Sequence, residues 1–185
     1  MNDEARIEII NRQNTWWLLL VRFQKIILFV TAFLVILLIS YSAIMRYVFK
    51  SDFYGIEDVI LVVSFWMYFI GAAYGSYTNN HVSAEVIPIY LKNKLVRNII
   101  IIIRSVVTTI LSWLFTYWAL LLMKWGIEKY GRTATLGIPL FIPQGAIFIG
   151  LFIMSIYTSI YLIEDILVFV KNKTTDLLMN KQEVA

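Results

Sequence analysis

The sequence predicts an all-α integral membrane protein with four transmembrane helices, cytoplasmic N and C termini and an interfacial segment between helices two and three. Hydrophobic residues make up 60% of the chain and charged residues 15%, whereas soluble domains are about half apolar and about a quarter charged. A helix of about 20 apolar residues crosses the hydrocarbon core. Residues 1–185 therefore form one membrane domain around four uncharged stretches: 26–45, 59–80, 105–123 and 133–163.

The Lys and Arg residues predict the orientation. Most of the 16 lie in the N-terminal segment, in the connection between the second and third stretches and in the C-terminal segment. Cytoplasmic flanks are enriched in these residues, so all three regions are predicted in the cytoplasm. The dispersed charge also argues against a nucleic-acid partner. The remaining Lys and Arg residues lie in the two external connections: Arg46, Lys50, Lys124, Lys129 and Arg132.

The first helix is predicted over residues 26–47. Trp16 and Trp17 precede it, next to Arg22 and Lys25, and aromatic residues beside cations are typical of the inner headgroup region. The outer end of this helix is also dense in aromatic residues. A short external loop containing Asp52 follows.

The second helix is predicted over residues 59–79, and Glu57 and Asp58 open it because acids favour a helix N-terminus. One hypothesis is that Arg46 pairs with Glu57 or Asp58 and holds the first helix against the second. The alternative is that each charge is solvated separately in the headgroup layer. Gly71 and Gly75 have the GxxxG spacing that lets helix backbones approach closely in lipid, although glycine is also common in membrane helices.

Residues 82–98 mix apolar and basic residues in a run too short to span. They predict a partly helical segment on the cytoplasmic membrane face, with Pro88 at its start or at a bend. An ordinary loop is the alternative.

The third helix is predicted over residues 99–123. Arg104 lies slightly inside its apolar zone, from where a long side chain can reach the inner surface. The second external loop contains Pro139 and several glycines, so it is not a continuous helix. The fourth helix is predicted over residues 143–163, with Pro143 in its first turn and its end near Ile163.

Motifs for catalysis or metal binding are missing from the sequence. His81 and Glu85 are four residues apart, but no Cys and no second His complete a metal site. Nucleophile elbows, P-loops and zinc-protease motifs are also missing. No ionisable residue lies near the middle of any apolar stretch, where a transport path would be expected to carry one. We therefore expect neither an enzyme nor a cofactor-binding protein, nor a substrate path within this chain.

The order and spacing of several short motifs resemble the small membrane subunit of tripartite ATP-independent periplasmic (TRAP) transporters, the DctQ-like family. The resemblance covers nearly the whole chain. An acid often follows the His-Val pair closely in that family, whereas Ser83 and Ala84 intervene here before Glu85. The motifs are Arg46-Tyr47-Val48-Phe49, Glu57-Asp58, Trp66, Phe69-Ile70-Gly71-Ala72-Ala73, His81-Val82 with Glu85, Leu136-Gly137-Ile138-Pro139, and Pro143-Gln144-Gly145.

The resemblance implies a scaffold subunit in the bacterial inner membrane that binds no substrate itself. Its partners would be a larger multispan subunit, with which it forms a heterodimer, and a periplasmic substrate-binding protein. The larger subunit would import an organic acid by a sodium-driven elevator motion (symport). Charged residues of the external loops would then contact the binding protein: Lys50, Asp52, Lys124, Glu128, Lys129 and Arg132.

The remaining residues in the motifs and at the helix ends are candidates for the interface with the larger subunit or for structural roles. The alternative function is a self-sufficient small carrier or channel that works as a homo-oligomer. The candidates are Arg46, Glu57, Asp58, Trp66, Gly71, Gly75, His81, Glu85, Arg104, Pro139 and Pro143.

Overall fold

Four long helices make up the computed structural model, which describes residues 15–51, 54–78 and 94–183. The predicted all-α class with four transmembrane helices is confirmed, since each helix contains a stretch long and apolar enough to cross a membrane. The orientation of the termini stays a prediction. The described residues contain no β-strand, only one isolated bridge between Arg132 and Pro139. The helices are α1 (Thr15–Tyr47), α2 (Ile56–Tyr77), α3 (Lys94–Glu128) and α4 (Phe141–Glu183).

The helices extend past the predicted spans. Helix α1 begins at Thr15, before the predicted start at 26, and α3 continues to Glu128, past the predicted end at 123. The predicted end of the fourth helix near Ile163 is wrong, because α4 continues to Glu183. No Gly or Pro follows Gly150, so the chain becomes polar without meeting a residue that ends a helix. Residues 94–98, which we assigned to the interfacial segment, form the first turns of α3. The rest of that segment, residues 82–93, lies outside the described residues.

The helices pack as an open row. Helix α1 packs against α2, α2 packs against α4, and α4 packs against α3. Within the described ranges, α1 and α3 do not pack on each other, so the row does not close into a ring. Burial agrees with these positions, because α4 has a neighbour on each side and α1 has only one. In the most apolar window of each span, 33% of the α4 residues are buried but only 6% of the α1 residues.

At Gly150, α4 lies directly against the backbone of α2. A methyl group on Gly150 would lie 2.6 Å from the backbone carbonyl oxygen of Phe69. Ala73 of α2 and Ala146 of α4 are completely buried. Small residues allow backbones to approach closely in lipid, where packing drives helix association. These three residues therefore set the distance between α2 and α4.

The predicted GxxxG pair lies elsewhere on α2. A methyl group on Gly71 would lie 3.3 Å from a terminal methyl carbon of Leu28, on α1. A methyl group on Gly75 would have no described atom within 4 Å. Gly71 thus packs against α1, whereas Gly75 lies beside open space in this chain.

The helices begin and end at two opposite faces of the row, and these two faces differ in structure. At one end, which we call the terminal end, Val21, Tyr77, Tyr157 and Tyr161 form a buried cluster where α1 begins and α2 finishes. At the other end, which we call the loop end, the connection from α3 to α4 lies against the start of α2. The loop end carries most of the predicted contact residues.

Candidate functional site

The connection between α3 and α4 has an ordered fold of its own at the loop end. The Thr133 N–H donates to the Ile138 carbonyl at 2.9 Å, and the Leu140 N–H donates to the Gly131 carbonyl at 2.8 Å. The Ile138 N–H also donates to the Thr133 hydroxyl at 2.9 Å. These bonds satisfy backbone groups that a loose loop would leave to water. We call residues 129–140 the α3–α4 loop.

Asp58 fixes the α3–α4 loop to the start of α2. Its Oδ2 atom accepts hydrogen bonds from the backbone N–H of Leu136 at 2.7 Å and of Thr135 at 3.1 Å. The Leu136 side chain lies over Gly55, where an added methyl group would be 2.4 Å from Leu136 Cγ. Gly55 also has a φ of +98°, which other residues rarely adopt. The loop is therefore held by one carboxylate and one apolar contact.

Arg46 and Glu57 line the same cavity of about 210 Å³, next to the α3–α4 loop. Ser42 of α1 and Thr135 of the loop line it as well. Asp58 is bonded to the loop, so Glu57 is the acid better placed for the hypothesised pair with Arg46. The pairing itself stays a prediction.

Charge reversal tests the pairing of Arg46 with Glu57. We expect Arg46→Glu and Glu57→Arg each to weaken the packing of α1 on α2, and the double reversal to recover most of the loss. Exposed ion pairs contribute up to about 1 kcal/mol, so the expected effects are small. Thermal unfolding of the full chain in detergent measures them. A double variant no more stable than the single variants contradicts the pairing.

The predicted contacts for the binding protein lie at the loop end, apart from Asp52, which is outside the described residues. Lys50, Lys129 and Arg132 are exposed. Lys124 Nζ lies 3.7 Å from Glu128 Oε1, with the two side chains 70% and 59% exposed. Such an exposed pair is weak, so both groups are available to a partner.

The α3–α4 interface contains a row of hydroxyl groups that sequence reasoning missed. Thr116 Oγ1 lies 2.8 Å from Ser155 Oγ, and the Thr109 hydroxyl donates to the Thr158 carbonyl at 3.2 Å. Ser105 donates to Asp165 Oδ2 at 2.5 Å. The signal was present in the sequence, since the α3 residues recur at helical spacing on one face. The hydroxyl seam, as we call it, contains Ser105, Thr109, Ser112, Thr116, Ser155 and Thr158.

A double-mutant cycle measures the central bond of the hydroxyl seam. We expect Thr116→Val combined with Ser155→Ala to show a coupling of about 0.6 kcal/mol, the typical value for such bonds in membrane proteins. Thr108→Val is the matched control, since half-buried Thr108 makes no hydrogen bond to α4 among the described residues. Unfolding in detergent gives the four stabilities. Coupling of the same size between Thr108→Val and Ser155→Ala would contradict the assignment.

Polar side chains also join α1, α2 and α4 at the terminal end. The Tyr157 hydroxyl donates to Gln24 Oε1 at 2.9 Å, and the Tyr161 hydroxyl donates to the Tyr77 carbonyl. Lys25 Nζ lies 5.6 Å from the centre of the Tyr74 ring, within the range of a cation–π contact. Helix α1 is therefore attached to its neighbours at the end that we predict to lie in the cytoplasm, although most of its length is exposed.

The other predicted residues are scattered over the row. Trp66 and Arg104 are half-buried, on α2 and α3. Pro139 forms the loop bridge, and buried Pro143 lies in the first turn of α4 as predicted. Beside it, the buried Gln144 amide packs against Gly126 of α3. His81 and Glu85 lie outside the described residues.

Nothing in the described ranges has the arrangement of a metal centre, since no group of three or more His, Cys, Asp or Glu side chains comes together there. The polar groups of the structure instead join helix to helix or loop to helix.

Comparison with known proteins identifies one family. The family model described as "Tripartite ATP-independent periplasmic transporters, DctQ component" matches residues 35–167. The matched range begins within α1 and ends within α4, so it includes the α3–α4 loop, Asp58 and the hydroxyl seam. A search of curated proteins found no match.

Proposed function

The chain belongs to the DctQ component family of tripartite ATP-independent periplasmic transporters, and we propose that it is the fixed scaffold of such a transporter. As the small component, it works with a large membrane component and a periplasmic binding component. In the proposed role, the large component forms a heterodimer with this chain and moves the substrate, while this chain holds its position in the bilayer.

The open row of helices carries this proposal. Large apolar side chains are exposed along α1 and α3, among them Phe29 at 75% and Ile110 at 61%. A ring of helices would cover part of this surface, but the row leaves it to lipid or to another membrane protein. Exposed apolar surface of this extent supports a subunit that packs laterally against a larger partner.

The charge distribution supports a scaffold without a substrate path of its own. Ionisable residues within membrane spans usually mark routes for ions or substrates. Here the charges precede or follow the apolar stretches. In this proposal the substrate is an organic acid, its site lies in the partner proteins, and a sodium gradient drives its import. This chain has no catalytic activity and needs no cofactor.

We place the loop end in the periplasm and both termini in the cytoplasm of a bacterial inner-membrane protein. The Lys and Arg distribution supports this orientation. The α3–α4 loop and residues 48–55 would then meet the binding protein through Lys50 and Lys129. Contacts of this kind mainly set the encounter rate and the choice of partner.

Purification and reconstitution separate the scaffold from the alternative, a self-sufficient carrier or channel. We expect the chain to co-purify with a larger multispan protein and to give no uptake when reconstituted alone. Uptake in liposomes should require both membrane components and the binding protein. The control is the same vesicles with the large component alone. Solute transport by this chain alone would overturn the scaffold and favour the homo-oligomer.

A further inference from the structure

A cavity of about 290 Å³ opens at the loop end, where α3 gives way to the α3–α4 loop. It is separate from the cavity next to Arg46. Its wall is mainly apolar and aromatic, and Arg132 is the one charged residue among those that line it. The residues that line it include Gly126, Ile127, Tyr130, Arg132, Pro139 and Phe141.

Arg132 gives this cavity a positively charged residue that has no counterion in the described part of the chain. Among the described residues, no carboxylate lies within ion-pairing distance of its guanidinium. The nearest acid along the chain, Glu128, is paired with Lys124 on α3 and does not line the cavity. Arg132 can therefore form two hydrogen bonds with an anionic group of matching geometry, such as a phosphate.

Tyr130 is the second unusual feature of the cavity. Its φ is +49°, in the left-handed region that costs a residue with a side chain of order 1 kcal/mol. Tyr130 is nevertheless 83% exposed, so side-chain packing among the described residues does little to offset that cost. Strained residues of this kind concentrate at ligand sites. The conformation keeps an amphipathic ring at the rim of the cavity.

The position of the cavity along the membrane normal indicates which kind of molecule it binds. The span of α3 finishes at Glu128 and the span of α4 begins at Phe141, so the cavity lies where hydrocarbon meets the headgroup layer. Trp125, Tyr130 and Phe141 are exposed around it, as aromatic residues are at that level. A phospholipid has both groups that the cavity fits, an anionic phosphate and an apolar chain.

We propose that this cavity binds a phospholipid from the leaflet at the loop end. The phosphate binds Arg132, and the upper part of an acyl chain lies against Ile127 and Phe141. The site does not depend on the transport role. Its effect would be to hold the junction of α3, the α3–α4 loop and α4 at a constant depth in the membrane.

Native mass spectrometry of the full chain, titrated with dioleoyl phosphatidylglycerol, tests the charged half of the site. We expect Arg132→Gln to weaken binding about fivefold, the effect of one basic residue near a lipid surface. Lys124→Gln is the matched control, since Lys124 is exposed nearby but lies outside the cavity. Equal losses in the two variants, or no loss in Arg132→Gln, would overturn the site.

A second pair of variants tests the apolar half of the site, where the acyl chain is placed. We expect Ile127→Trp to fill the cavity and weaken binding, whereas Leu122→Trp, at an exposed position outside it, should not. Equal binding by the two tryptophan variants would overturn the placement of the chain. Inorganic phosphate in large excess should not compete with the lipid. Full competition by phosphate would make this a site for free anions and end the lipid proposal.

A photo-crosslinker in place of Phe141 tests the occupant in the assembled transporter in its membrane. We expect an adduct with the mass of a phospholipid. An adduct with another polypeptide would show that a partner protein fills the cavity and would overturn the proposal.

Discussion

Gly150→Ala is expected to destabilise this protein by forcing two packed helices apart. The new methyl would lie 2.6 Å from the Phe69 carbonyl oxygen and 2.8 Å from its carbonyl carbon. Both are backbone atoms of a packed helix, so relief requires α2 and α4 to separate. Overpacking of this kind costs about 1–3 kcal/mol, which outweighs the gain of up to about 1 kcal/mol from replacing Gly with Ala in a helix.

Gly75→Ala and Gly71→Ala are the matched controls for Gly150→Ala. An alanine at 75 meets no described atom within 4 Å, so it should be neutral or slightly stabilising. An alanine at 71 meets only the flexible end of Leu28 and should have an intermediate effect. Thermal unfolding of the full chain in detergent gives all three values. A larger loss at Gly75 than at Gly150 would mean that the GxxxG pair, and not Gly150, sets the packing.

Asp58→Ala is expected to release the α3–α4 loop from α2 while leaving the helices in place. The variant removes the acceptor for the N–H groups of both Thr135 and Leu136. Charge-assisted bonds to backbone N–H groups are about twice as strong as neutral ones. Amide hydrogen exchange should therefore accelerate on the order of tenfold at these two residues, which report local opening of the loop. Asp58→Asn keeps an oxygen acceptor and should have a smaller effect.

Glu57→Ala is the control for Asp58→Ala, since Glu57 is the adjacent acid but accepts no hydrogen bond from the loop in the described part of the chain. Its exchange rates at Thr135 and Leu136 should match those of the unmodified chain. In the proposed complex, Asp58→Ala should also weaken association with the binding protein, because the loop would lose its fixed position. If amide exchange in the loop is fast but association with the binding protein is unchanged, the loop is not part of the surface that the binding protein contacts. Unchanged exchange would contradict the structural role of Asp58.

Sequence patterns predicted the helices well where the signal was local. The acids Glu57 and Asp58 lie in the first turn of α2, and Pro143 lies in the first turn of α4. The end of α4 was misplaced because hydropathy marks where a helix leaves the lipid, whereas the helix itself continues through polar residues to Glu183. The hydroxyl seam was missed, although Ser105, Thr109, Ser112 and Thr116 recur at helical spacing. Hydroxyl groups in a helix also bond to the backbone of their own helix, as those of Thr109 and Thr116 do, so their spacing alone does not indicate a partner helix.

The contacts that particular residues make were harder to predict from the sequence. The spacing of Gly71 and Gly75 suggested a packing face, yet Gly150, which belongs to no motif, makes the tightest approach. Asp58 was one of two candidate partners for Arg46, and the structure shows it bonded to a loop some eighty residues further along the chain. A helix motif describes one surface only, and which surface it meets depends on the positions of all four helices.

The sequence by itself determined that this protein is a four-helix membrane protein, because the cost of placing charge in hydrocarbon leaves a pattern along the chain that can be read one residue at a time. The order of its short motifs indicated the DctQ family, which the family model over residues 35–167 shows. Only the tertiary structure decided that the helices form a row in the order α1, α2, α4, α3, and that Gly150 and the hydroxyl seam hold it. In lipid every apolar face is equally well solvated, so hydropathy does not say which face packs on a neighbour. That choice depends on shape and hydrogen bonding between distant parts of the chain.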